Sequence, residues 1–274
     1  MLTGLITFLV VLILLYLFAI MPKLRVNPAF KQFEGWLYAH RGYHNNKKPK
    51  APENSLPAFK QAVEKGYGIE LDVQLTKDKI PVVFHDYDLN RACGVDKKVS
   101  ELTYEELKKY KLFKSQETIP TFKEVLDCIG GKVPIIVELK IPWEPKETCL
   151  AVSKELANYK GLYCIESFNP LGLIWYKKHY PQVVRGQLST DFVKDNIEGS
   201  KMQHFILKHL LFNFLTKPDF IAYHHIYKKD LSFTICKKLY KIKTAAWTIR
   251  SQQELDENKD DFDLIIFDKF TPDE

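Results

Sequence analysis

The sequence predicts an α/β fold: an eight-stranded parallel β/α (TIM) barrel with a β-hairpin after strand 2, preceded by one N-terminal transmembrane helix. Three observations carry that reading. Apolar β-prone runs alternate with helical patterns, polar residues gather at the ends of those runs, and residues 1–21 contain no charged side chain.

The N-terminal run comes first. About 20 apolar residues cross the ~30 Å hydrocarbon core of a bilayer as a helix. A cleaved signal would show a basic start, a shorter apolar stretch and a small-residue cleavage site. Here the first charge is Lys23, and the run ends in the bulky Phe18-Ala-Ile-Met21. An uncleaved anchor over residues 1–22 is expected, then a juxtamembrane linker over 23–34 and a barrel domain over 35–274. Lys23, Arg25 and Lys31 follow the apolar run, and the positive-inside rule then puts the barrel domain in the cytoplasm. The five cysteines are odd in number and widely spaced, which suits reduced thiols in that compartment.

Eight β-like runs follow, at residues 36–40, 68–75, 133–140, 162–168, 183–188, 219–223, 244–249 and 263–267. Helical patterns lie between them at 55–65, 121–129, 146–158, 170–179 and 232–240. Strands alternating with helices imply a parallel sheet, and eight of them suggest closure. An open doubly wound sheet would want a glycine-rich phosphate loop after its first strand, and none is present. His40, Asp72, Glu138 with Lys140, Ser167, Gln187, His224 and Trp247 all fall at or near the carboxyl ends of their runs. In a barrel those ends form one rim, where active sites are built.

The chemistry concentrates early in the domain. Glu70 and Asp72 stand two apart in the apolar run Gly68-Ile-Glu-Leu-Asp-Val-Gln-Leu75. On a strand they share a face. Burying two like charges together is costly unless a cation neutralises them, and a divalent metal with oxygen ligands does so. The next β-prone run, 81–85, follows too closely for a parallel crossover, so the pair forms an antiparallel hairpin. That hairpin returns His85 to the Glu70–Asp72 stretch. The net charge of +6 suits an anionic substrate or an anionic membrane surface. No basic arm or nucleic-acid motif is present, so nucleic acid is not an expected partner.

Taken together, Ala39-His-Arg-Gly42, Pro52-Glu-Asn-Ser55, Ile69-Glu-Leu-Asp-Val73, Pro81-Val-Val-Phe-His-Asp86, Ile119-Pro-Thr-Phe122, Val137-Glu-Leu-Lys140, Ser167-Phe168 and Trp247-Thr248 resemble the glycerophosphodiester phosphodiesterase family. The resemblance runs in family order over nearly all of the chain after the anchor. It implies that His40 and His85 are the acid–base pair, that Glu70, Asp72 and Glu138 bind a divalent cation, and that Arg41 and Lys140 contact the substrate phosphate. Phosphodiester cleavage needs those parts: a base, a proton donor and positive charge around the phosphoryl oxygens. Three carboxylates favour Ca²⁺ or Mg²⁺ over zinc.

Several positions carry two readings. Glu53 and Asn54 cap the following helix, with Asn54 as N-cap, or Glu53 sits beside or behind the metal site. Trp247 is core or pocket wall, and His224-His225 is rim structure rather than a second metal site. Phe267 stands before Asp268 where the family commonly has threonine or serine, which bears on pocket polarity. Residues 202–215 are apolar enough for a buried helix or for a rim helix touching lipid. The expected activity is hydrolysis of glycerophosphodiesters to glycerol 3-phosphate and an alcohol. The alternatives are a lysophospholipase D acting on lysophospholipids, and a non-catalytic barrel that binds lipid or polyanion. The last would be expected to lose an imidazole or a metal ligand, and His40, His85, Glu70, Asp72 and Glu138 are all retained.

Overall fold

Alternation along the strands dictates the architecture. The computed structural model describes residues 1–25, 27–47, 50–142 and 144–273. Its strands are β1 (Leu37–His40), β2 (Gly68–Leu75), β3 (Pro81–Val83), β4 (Ile135–Leu139), β5 (Tyr163–Ser167), β6 (Arg185–Ser189), β7 (Phe220–His224), β8 (Lys243–Ile249) and β9 (Leu264–Phe267). All except β3 are parallel to their neighbours, and pairing of β1 with both β2 and β9 closes an eight-stranded barrel. The eight expected runs are its eight staves. β3 lies outside, antiparallel on β2 with Val73 opposite Val83. On β2, Ile69, Leu71 and Val73 join the apolar layer under the helices. The intervening Glu70 and Asp72 therefore face the barrel interior, which a period-two strand requires.

Two apolar layers result. The larger lies between the strands and the surrounding helices, with Val137, Ile165 and Ile221 from the strands and Phe59, Val125 and Phe233 from the helices. The smaller fills the barrel with Tyr38, Ile136, Leu188 and Phe220. Local signals set the helix starts. Ser55 accepts from the Ala58 N–H to open Leu56–Glu64, and Thr121 with Glu124 forms a capping box before Phe122–Ile129, satisfying N–H groups the helix cannot. Asn54 is therefore not the cap. It sits at φ 56° in the preceding turn, leaving the capping role to Ser55.

Residues 202–215 are not one buried helix. Two short helices, Lys201–Lys208 and Asn213–Thr216, are separated by a turn in which Leu210 takes φ 57°. A left-handed residue ends an α-helix, and the first helix then buries only His204 while Met202 and Phe205 stay exposed.

The N-terminal helix α1 (Leu2–Ile20) is apolar and long enough to cross a membrane. Residues 2–15 are all exposed, but the last turn docks on the barrel. Tyr16 Oη meets Ser232 Oγ at 2.8 Å, Tyr240 Oη donates to the Leu17 carbonyl at 2.8 Å, and Asn213 Nδ2 donates to that of Ile20 at 3.1 Å. Ile20 is fully buried. The chain then crosses the barrel floor. Buried Asp219 accepts from Lys23 Nζ at 2.7 Å and from the backbone N–H groups of Asn27 and Arg185. The 3₁₀ segment Pro28–Phe33 seals the floor, with the Phe30 ring 5.7 Å from that of Phe220 and Tyr38 Oη donating to the Phe33 carbonyl.

Phe30→Ala should open a cavity under the barrel and cost about 3–5 kcal/mol. Urea unfolding of the detergent-solubilised chain measures it, and a loss below about 1 kcal/mol would show that the floor does not support the fold.

Candidate active site

Register places the acidic groups. Asp72 on β2 pairs across to Glu138 on β4, and Glu138 to Glu166 on β5, while Glu70 lies beside His40 of β1. Neighbouring parallel strands bring paired residues to about 5 Å, so one interior level carries a row of carboxyls. Ligand oxygens of Glu70, Asp72 and Glu138 all lie within 4.8 Å of one another, and all three residues are buried. Glu166, buried on the same level, is a member that sequence reasoning missed. The alternation of Glu166 with the apolar Ile165 was the signal that would have found it.

The charges do not balance within this group. Four carboxyls face two permanent cations, Arg41 and Lys140. Lys140 Nζ lies 2.7 Å from Glu138 Oε1 and 3.1 Å from Asp72 Oδ1. Arg41 donates through Nη1 to Glu53 at 2.8 Å and places Nε 3.4 Å from Asp72 Oδ2. The consequence shows in the acidities. Burial, then the Asp72 and Glu166 charges, push the Glu70 carboxyl well up. Burial raises Glu138 to about 7 despite Lys140, and burial and Glu138 raise Glu166. Asp72 goes the other way: its burial is outweighed by Lys140, His85 and Arg41. A divalent cation would supply the missing charge, and the donor set fits one. It is all oxygen, and Asp72 Oδ1, 3.1 Å from the Lys140 ammonium, is buried without a hydrogen-bond partner.

Two imidazoles flank this group. His40 ends β1, with Nε2 3.8 Å from Glu70 Oε2 and Nδ1 3.8 Å from Asp268 Oδ2. Burial, reinforced by the Arg41 charge, lowers its pKa to about 4. His85 arrives through the hairpin: the Phe84 N–H donates to the Asp72 carbonyl, and His85 follows directly. Its Nδ1 lies 2.6 Å from Asp86 Oδ1, which fixes the ring and turns Nε2 away from Asp86. Burial and Lys140 lower its pKa, so the surroundings of both rings favour the neutral imidazole.

Around them runs a supporting network. Arg91 donates to both oxygens of Glu53 and to Asp86, and Asn46 Nδ2 also reaches Glu53. These partners hold Glu53 well below the usual carboxylate range against its burial. Glu53 thus stands behind Arg41 rather than capping a helix. Asn54 Nδ2 donates to Asp72 Oδ2 at 2.8 Å, a bond its left-handed backbone makes possible. Arg41 itself takes φ 58°, and its N–H donates to Glu70 Oε2. Such conformations persist where surrounding structure over-determines them. Gly42 must follow, since at φ 81° a Cβ would stand 3.0 Å from Ala58 and Phe59. Asp268 and Asp86 are further residues that sequence reasoning left without a role. The first joins His40 to His44, whose Nε2 lies 3.0 Å away, and the second orients His85.

The cavity at the strand ends is lined by the polar His40, Arg41, Glu70, His85, Glu138, Lys140, Glu166, Thr248 and Arg250 and by the apolar Phe168, Leu188, Trp247 and Ile266. Trp247 is therefore pocket wall. It stacks on His224 at 5.0 Å, and His224 in turn contacts Asp195, so the histidine pair belongs to the rim. Phe267 does not touch pocket polarity: it points into the helix layer against Tyr67 and Phe270, because alternation on β9 gives the inward places to Ile266 and Asp268.

Comparison with known proteins agrees with this geometry. A glycerophosphodiester phosphodiesterase of Caldanaerobacter subterraneus is 33% identical over 231 residues, covering 80% of this chain and 87% of its own. An Oleispira antarctica phosphodiesterase, solved in complex with the product sn-glycerol-3-phosphate, superposes with a TM-score of 0.70 at 27% identity, over 87% of this chain and 94% of its own. A Thermotoga maritima glycerophosphodiester phosphodiesterase gives 0.64 at 25% identity, over 85% and 94%. Residues 40–269 match the glycerophosphoryl diester phosphodiesterase family as a whole, and the chain belongs to that family.

Proposed function

We propose that this chain is a membrane-anchored, metal-dependent phosphodiesterase that hydrolyses glycerophosphodiesters to glycerol 3-phosphate and an alcohol. The observation that carries it is the meeting of His40 and His85, one from the first strand and one from the hairpin, over a single charge-deficient carboxylate group in one cavity. Family membership and the glycerol 3-phosphate complex of the Oleispira relative support the substrate class.

Glu70, Asp72 and Glu138 hold a divalent cation, Ca²⁺ or Mg²⁺. When bound, it supplies Lewis-acid charge to the phosphoryl oxygens. The remaining parts belong to the chain. Arg41 and Lys140 present positive charge to the phosphate, Arg41 with a fork suited to two oxygens. His85, with Nδ1 on Asp86, offers Nε2 for proton transfer, and neutral His40 offers the second site across the carboxylates. The two share the base and acid roles that attack and alkoxide departure need. Trp247 and Phe168 form the apolar wall.

α1 serves as an uncleaved single-pass anchor (residues 1–22). Its last turn is built into the fold through Ile20, Asn213 and Tyr240, contacts that cleavage would remove. Lys23 and Arg25 favour a cytoplasmic barrel. A second reading, turnover of lysophospholipids, draws on the apolar wall and the exposed Met202 and Phe205.

Glycerol 3-phosphate release from glycerophosphocholine tests the reaction. Chelation should abolish it and Mg²⁺ or Ca²⁺ restore it. His40→Ala and His85→Ala should each lower kcat by at least about 10²-fold with little change in thermal midpoint. A barrel that only binds would be indifferent to both changes. The raised carboxyls add a pH test. Glu138 titrates near 7 and Glu70 is also raised, so below that range an incoming cation must displace protons. Metal affinity should tighten from pH 6 to pH 8 with proton release, read by calorimetry in two buffers of different ionisation heat. Affinity independent of pH would remove these residues from the site.

A further inference from the structure

The direction of α1 fixes how the barrel meets the membrane. Tyr16 touches Ser232 and the Ile20 carbonyl accepts from Cys236 Sγ, so four residues along α1 match four along the helix Leu231–Lys238. The two helices run the same way. Leu231–Lys238 descends from the end of β7 at the mouth to the start of β8 at the floor. Lys217 Nζ, at the floor, reaches the Met21 carbonyl. Residues 2–15 therefore continue past the mouth, on the same side as the catalytic cavity.

Length then sets the depth. Those 14 residues (2 to 15, all exposed) measure about 21 Å as a helix, short of the ~30 Å hydrocarbon core. All 19 residues of α1 give about 28 Å. The exposed part of α1 thus leaves no length for a gap between the bilayer and the barrel, which draws the rim beside Tyr16 to the headgroups. That sector of the rim is built for it. Val193, Ile197, Met202, Phe205, Ile226 and Leu231 are each 38–69% exposed. They all follow β6 or β7, and the exposed Lys194, Lys201 and Lys229 lie among them. The Phe205 ring lies 4.5 Å from that of His209, tilted by 57°, and His209 reaches Ser232 beneath Tyr16, so the patch is continuous with the α1 contact. It also connects inward. Trp247 and Phe168 of the cavity wall are 5.6 Å apart, Phe168 meets Phe192 at 5.8 Å, and Phe192 stacks on His204 of the helix that carries Met202 and Phe205.

We infer that the mouth of the barrel faces the bilayer that α1 enters and that the rim following β6 and β7 dips into its surface. Single-chain phosphodiester lipids then reach the site laterally from that leaflet, along the Trp247–Phe168–Phe192 wall. The catalytic half of the inference rests on the phosphodiesterase reading, and the docking half on α1 as a span.

The test uses the full chain in nanodiscs of phosphatidylcholine and phosphatidylglycerol. Spin labels are placed singly in a Cys93→Ser/Cys128→Ser background by Leu9→Cys, Met202→Cys, Ile226→Cys and Leu239→Cys, the last on the floor side. Labels at 202 and 226 should collide with oxygen in preference to a water-soluble nickel complex, and the label at 239 should not. Labels at 202 and 226 as wet as at 239 would overturn the docking. A wet label at position 9 would overturn it through its premise, the span. The double variant Met202→Asp/Ile226→Asp should lose about tenfold in turnover of lysophosphatidylcholine in vesicles and keep its turnover of glycerophosphocholine. Equal loss on both substrates, or none on either, would overturn lateral entry. Absence of glycerophosphocholine hydrolysis by the unsubstituted chain would instead overturn the phosphodiesterase reading and leave the label depths to judge the docking alone.

Discussion

Uncompensated negative charge is the constraint on which this molecule turns. Asp72, Glu138 and Glu166 are buried in register across three strands, with buried Glu70 two residues before Asp72, and the fold places the permanent cations Arg41 and Lys140 beside them. An apolar interior cannot hold such a group ionised without help, so neighbouring structure is committed to it. The left-handed Arg41 aims an N–H at Glu70, left-handed Asn54 bonds Asp72, and Glu53 with Arg91 holds Arg41 from behind. Sequence positions that look like turn residues or caps are thereby tied to the charge of the cavity. Stability and function pull against each other at this level, as expected where carboxyls are gathered for a cation rather than for packing.

The barrel was legible because its evidence is periodic. Strand alternation and the spacing of helical patterns mark each stave, and the short link between β2 and β3 left only a hairpin, which is why His85 could be placed beside Asp72. The buried acidic triad was legible in part from Glu70 and Asp72 on one strand. Glu138 needed family resemblance, because register between β2 and β4 is a tertiary fact. What escaped shares that cause. Asp268 meets His40 only through closure of β9 on β1, Arg91 meets Glu53 across 38 residues, and the alternation that turns Glu166 inward does not by itself say that Glu138 stands beside it. Phe267 misled because its neighbours in sequence face the cavity while it does not. The 202–215 stretch misled because composition reports apolarity without the Leu210 turn that divides it.

The mouth is divided into two unlike halves. His40, Arg41, His85, Lys140 and the buried carboxyls come from β1 to β5 and their loops, while Phe168, Phe192, Trp247 and the exposed apolar rim belong to β5 to β8 and the segments after them, alongside Arg250, His224 and Asp195. α1 docks on the second half. A substrate with one charged and one apolar end would be oriented by that division before any specific contact formed, and Trp247 at the border has the amphipathic character suited to it.

The docking of α1 also bears on how the protein is made. Its partners Asn213, Cys236 and Tyr240 lie some two hundred residues downstream, and β9, which closes the sheet on β1, is the last strand in the chain. At ~5–20 residues per second, the first helix waits tens of seconds for the surface that receives it. On the proposed reading of α1 as an anchor, lipid shelters its apolar side chains through that interval, and synthesis itself orders assembly: membrane first, barrel second, and the joint between them last.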